Sequence, residues 1–197
     1  MLKQIGIIVG VAAGLPTSAQ AQARAQGLSS VGDALVSLTP AEAVTLRAII
    51  ARIIPADENG SGALEARADR FIDRALAGAL KNQRAAYTAG LAAVDARAQS
   101  SKGSGFAKLS AADQDAVLTE ISAGASGQFF NLVRTHTIQG TFSDPFYGGN
   151  ENFIGWNLIG YPGSRIAVSA NLQRMDVKPE ASGKSAYDYN MFNKGEF

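Results

Sequence analysis

Apolar residues in this chain recur at three- and four-residue intervals between recognisable helix starts and stops, and nowhere do they alternate long enough to build a sheet. That pattern limits the fold to helices packed on helices. The first start is the clearest. Thr39 stands as N-cap, Pro40 as the first helical residue, and Glu42 three residues after the cap completes a capping box. Val44, Leu46, Ile49, Ile50, Ile53 and Ile54 follow as an apolar stripe. Pro55 and the loop Asp57 to Gly62 stop it.

Further helices are predicted over about 63–80, with Leu64, Ala68, Phe71, Ile72, Ala75, Leu76 and Leu80 inward, and over about 83–98, with Tyr87, Leu91 and Val94 on one face. The run SSKGSG at 100–105 reads as a flexible connector. Ser110 with Asp113 then opens a fourth helix over about 111–123, and a fifth is expected over about 128–139 with Gly140 at its end. A short sixth near 151–158 gives an all-α fold: one domain of five to six helices with an irregular, aromatic and glycine-rich C-terminal third. There is no repeat period, and no linker long enough to separate two cores.

At 197 residues and 46% hydrophobic content, the chain can build a sizeable core. A net charge of +1, with lysines and arginines scattered, lacks the basic stripe of a nucleic-acid binder. Because there is no cysteine, disulfides, thiolate nucleophiles, iron–sulfur clusters and thioether-linked haem on this chain are excluded. Lys3, the apolar run Ile5 to Leu15 and the small polar run Pro16 to Ala23 follow the layout of a secretory signal peptide over 1–23, with A-x-A sites ending at Ala21 and Ala23. No Arg-Arg pair precedes the apolar run. An N-terminal arm over 24–37, a helical domain over 38–170 and a tail over 171–197 complete the expected organisation. The tail mixes Pro, Gly, Ser and Lys with Tyr187, Tyr189, Met191, Phe192 and Phe197, so it is expected to lie against a surface.

Special residues concentrate in Gln128 to Gly163. This stretch holds the only histidine, His136, the only tryptophan, Trp156, and the diglycine Gly148-Gly149. His136 and Asp144 are the obvious acid–base candidates, but no G-x-S-x-G elbow accompanies them. The preferred reading makes His136 a half-buried pin whose ring nitrogens fix the 141–150 loop. Asp57, Glu58, Asp69 and Asp73 form the best local carboxylate group, with Arg70 and Arg74 beside them as ion-pair partners rather than a metal site. The glycines match neither a dinucleotide nor a P-loop fingerprint, so no cofactor is expected on this chain. Phe146, Tyr147, Phe153, Trp156 and Tyr161 can serve as contact residues for a partner, as a local mini-core, or as both.

Three patterns in this stretch carry a family resemblance: H-T-x-x-G at His136 to Gly140, F-S-D-P-x-Y-G-G-N at Phe142 to Asn150, and G-W-x-x-I-G-Y-P-G at Gly155 to Gly163. Upstream, L-T-P-A-E-A at 38–43, I-I-P-A-D at 53–57 and F-I-D-R-A-L at 71–76 fall in matching order. Over about Leu38 to Gly163 the chain resembles the small subunit (subunit 3, or gamma) of membrane-associated, flavin-dependent gluconate 2-dehydrogenases. The resemblance implies an accessory role at the periplasmic face of the bacterial inner membrane. It implies a large FAD-dependent partner of the glucose-methanol-choline oxidoreductase type, acting on a sugar, sugar acid or polyol, and a haem c cytochrome subunit. The small subunit would then support export, maturation and stability of the flavoprotein. The expected partner-binding residues are His136, Phe142, Asp144, Pro145, Tyr147, Gly148, Gly149, Asn150, Trp156, Tyr161, Pro162 and Gly163. A free-standing periplasmic binding module and an autonomous enzyme built on His136 and Asp144 are the alternatives.

Overall fold

The computed structural model describes residues 34–124 and 126–192, so the expected signal peptide and most of the N-terminal arm lie outside the described residues. Six α-helices follow: α1 (Pro40–Ile53), α2 (Ala68–Ala77), α3 (Arg84–Lys102), α4 (Ala111–Ala123), α5 (Gly127–Phe142) and α6 (Ile154–Leu158). Among the described residues there is no strand, only an isolated bridge between Asp57 and Gly60. The fold is all-α. No helix among the described residues is long and apolar enough to cross a membrane.

The capping box forms as the residue pattern requires: the Glu42 amide donates to the Thr39 hydroxyl and the Thr39 amide donates to the Glu42 carboxylate. Arg84 forks onto the same carboxylate at 2.9 and 2.6 Å. With Arg84 as the main cause, and the Thr39 and Thr88 hydrogen bonds adding to it, the Glu42 pKa falls to about 2. Helix α1 is the hub, touching α2, α3, α4 and α5. Its inward face is Leu46, Ala48, Ile49 and Ile50, all buried. Val44, expected in the stripe, is instead 53% exposed, and Thr45 takes the inward position by hydrogen-bonding Asp95 at 2.7 Å. Phe106 is buried under these helices, with its amide donating to Asp95 and its carbonyl accepting from Gln114.

Several boundaries depart from the sequence expectation, and the second helix ends at Ala77 rather than near 80. The second helix starts at Ala68 rather than near 63, because Arg67 is left-handed (φ 58°) and breaks residues 63–67 into turns. The third runs on to Lys102, taking in the first half of the presumed connector. Ser100 and Ser101 hydrogen-bond back to the Arg97 carbonyl, and Gly103, left-handed, ends the helix. The fifth continues to Phe142, past Gly140. A Cβ at Gly140 would lie 2.9 Å from the Ala68 Cα and 3.0 Å from the Phe71 Cβ, so this glycine sets the close crossing of α5 over α2 instead of ending the helix. The fourth helix occupies the expected 111–123, capped by Ser110.

Candidate functional site

Beyond α5 the chain makes two 3₁₀ turns, Pro145–Tyr147 and Glu151–Phe153, before α6. What fixes this irregular path is Asn150. Its side chain is fully buried, and its backbone is left-handed (φ 45°), a conformation asparagine tolerates better than most residues. The carboxamide nitrogen donates to the Ser143 carbonyl at 2.8 Å, while its oxygen accepts from the amides of Gly155 (2.8 Å) and Trp156 (3.3 Å). Its own amide donates to the Gly140 carbonyl. One residue therefore ties the end of α5 to the start of α6. The two chains meet so closely that Gly149 and Gly155 have no room for a Cβ, which would overlap the carbonyls of Gly140 and Thr141 respectively. Gly148, Asn150 and Gly163 all take positive φ, the region that glycine and asparagine enter most readily.

Helix α2 holds this loop from outside. Arg70 donates to the Gly148 carbonyl at 2.6 Å and pairs with Glu151 at 3.2 Å, and the Arg74 side chain lies over Gly148. Trp156 closes the frame from within. It is 5% exposed, its indole donates to the Phe142 carbonyl at 2.9 Å, and its ring stacks on Phe153 and meets the edge of Tyr161. Trp156 is thus the centre of the mini-core. Phe146 and Tyr147, by contrast, are each half exposed.

The tail returns to this frame through Asp144. The carboxylate caps the Phe146 amide at 3.0 Å, accepts from the Ser185 hydroxyl at 2.5 Å, and accepts from the Ala186 amide at 2.8 Å. Tyr187 stacks on Phe146 with ring centres 3.7 Å apart, and its hydroxyl meets that of Tyr147 at 3.0 Å. That contact raises the Tyr147 pKa. Pro162 and Ser164 anchor the returning segment: the Ser182 amide donates to the Pro162 carbonyl, and the Tyr189 hydroxyl donates to the Ser164 carbonyl. Residues 182–189 of the tail therefore lie on the protein's own surface. Its docking turn has a sequence signal, Ser185-x-x-Asp188, which forms a capping box.

His136 is not where the acid–base or loop-pin readings put it. It is 4% exposed, and its Nδ1 pairs with the hydroxyl of fully buried Tyr87 at 2.9 Å, the two rings lying parallel. Burial lowers its pKa and keeps the imidazole neutral. The histidine pins α5 to α3 rather than fixing the 141–150 loop. Asp144 is committed to the tail, so the two acid–base candidates face different partners. The carboxylates near α2 diverge as well. Asp69 accepts from Arg67, Asp57 turns to Asn59, and Asp73, buried, accepts three backbone amides from Val36, Ser37 and Leu38 at 2.6, 3.0 and 2.7 Å. Asp73 as the anchor of the N-terminal arm, and Tyr87 as the histidine's partner, were not legible from local pattern. Both link residues more than thirty positions apart.

A family model described as gluconate 2-dehydrogenase subunit 3 matches residues 40–163, more than half of the chain and all of the Asn150 frame. No curated protein and no solved structure matches the chain.

Proposed function

Because the chain belongs to the gluconate 2-dehydrogenase subunit 3 family, we propose that it is the non-catalytic small subunit of a periplasmic, membrane-associated FAD-dependent dehydrogenase complex. In this reading the FAD resides on a large partner of the glucose-methanol-choline oxidoreductase type, which oxidises a sugar, sugar acid or polyol. A cytochrome subunit carries haem c. The small subunit escorts the flavoprotein across the membrane and stabilises it afterwards.

One observation carries the reading. In the family-matched segment the Asn150 carboxamide and the Asp144 carboxylate are spent on internal bonds, while Phe146 and Tyr147 are left half exposed on the frame they hold. Fixed aromatic side chains supply contact area at low entropy cost, the character of interface hot spots. The burial of His136 against Tyr87 and the engagement of Asp144 by the tail favour a scaffold over a hydrolytic centre.

Purification of the chain from its native membranes, tagged at either end in separate preparations, tests this. Recovery of a larger yellow partner is expected, and Tyr147→Ala should reduce the recovered flavin roughly tenfold, a hot-spot loss, with the helical signal of the isolated subunit retained. A colourless single chain from both preparations would overturn the reading.

A further inference from the structure

A cleft of about 280 Å³ opens between residues 34–38, α1 and α2, with the core residues Leu38 and Leu46 in its lining. It has space for roughly nine waters. One wall is apolar and open to solvent: Leu35, Val36 and Val44 are 43, 61 and 53% exposed. The other is cationic, with four guanidinium groups against two carboxylates.

Both carboxylates are already engaged. Asp73 accepts the three amides of the arm, and Asp69 is held by Arg67 at 3.1 Å. What remains is donor capacity. The Arg47 Nε is buried without a hydrogen-bond partner, because the nearest Asp69 oxygen is 3.6 Å away. Nε itself is closed to solvent, so the donors a ligand can reach are the Arg47 terminal nitrogens, which make no hydrogen bond among the described residues. Arg74, exposed on the same cleft, makes no ion pair among the described residues. Apolar surface next to unfilled arginine donors is the recognition chemistry of an amphiphilic anion.

We propose that this cleft binds an organic anion, a carboxylate or phosphate monoester with a short hydrocarbon body, its charged end toward Arg47 and Arg74 and its hydrocarbon on Val36 and Val44. This assignment is independent of the subunit role above. Such an anion is supplied either by a free acid or by an anionic lipid.

Calorimetric titration of the full chain with octanoate, and with octanol as the neutral control, tests it. Octanoate should bind saturably and octanol roughly tenfold more weakly. Val44→Asp, which places a carboxylate at an exposed position of the mouth, should abolish binding, and Arg74→Gln should weaken it several-fold, with far-ultraviolet spectra unchanged in both. Displacement of octanoate by phosphatidylglycerol vesicles but not by phosphatidylcholine vesicles would support the site and assign the anion to lipid. Displacement by neither would support it and assign a free acid. Equal binding of octanoate and octanol, no saturable heat, or full affinity in Val44→Asp would overturn the proposal.

Discussion

The helical body and the C-terminal third are held together by different means. In the body, α1 buries Leu46, Ile49 and Ile50 against Ile72, Leu91, Val94 and Val117, so stability is spread over many dispersed apolar contacts. From Ser143 onwards few side chains reach that core, and the path depends on Asn150, Asp144 and Trp156, which bond backbone groups 7, 42 and 14 positions away. A distributed core tolerates local loss by sharing it. A frame built on single polar residues fails locally and completely when one is removed, because the groups left behind are buried and unmatched.

The largest expected effect tests the body. Leu46→Ala should cost about 2–5 kcal/mol, seen in chemical denaturation as a lower midpoint, with amide exchange quickening in both regions. A change confined to the body would mean that the frame stands independently of it. Asn150→Ala comes next, at about 3 kcal/mol. It strands the Gly155 amide and the Ser143 carbonyl, so exchange at Gly155 and Trp156 should rise sharply while α3 and α4 stay protected. Uniform loss of protection would erase the distinction drawn between the regions. Asp144→Ala should cost about 1–2 kcal/mol, and the loss should be confined to the tail and the Pro145–Tyr147 turn that Asp144 caps: proteolysis near 182–189 should speed up while Trp156 fluorescence holds.

The smallest effect is in pH dependence. His136 has a folded pKa below 6.5, so its neutral form favours the native state, and that contribution is lost as pH falls through and below 6.5. Replacing it by Phe should flatten the stability profile on the acid side of pH 6.5. An unchanged slope would show that another group governs it. Below this range Glu42 takes over, its stabilising ionisation disappearing as pH falls from 4.5 towards 2.

Sequence alone determined the helices and their capped starts, since the capping box at Thr39 and the N-cap at Ser110 act within a few residues and the apolar period is local. It also marked residues 128–163 as special and carried the family resemblance. What it left open were the ends of α2, α3 and α5. Those depend on a left-handed Arg67, a serine back-bond and a glycine used for packing rather than for stopping, and each residue type permits more than one outcome. Only the tertiary structure assigned His136 to Tyr87, Asp73 to the arm, and Asp144 to Ser185 and Ala186. These bonds span 35 to 49 positions, and a side chain's capacity to hydrogen-bond is written in its residue type, whereas its partner is chosen by how the helices pack.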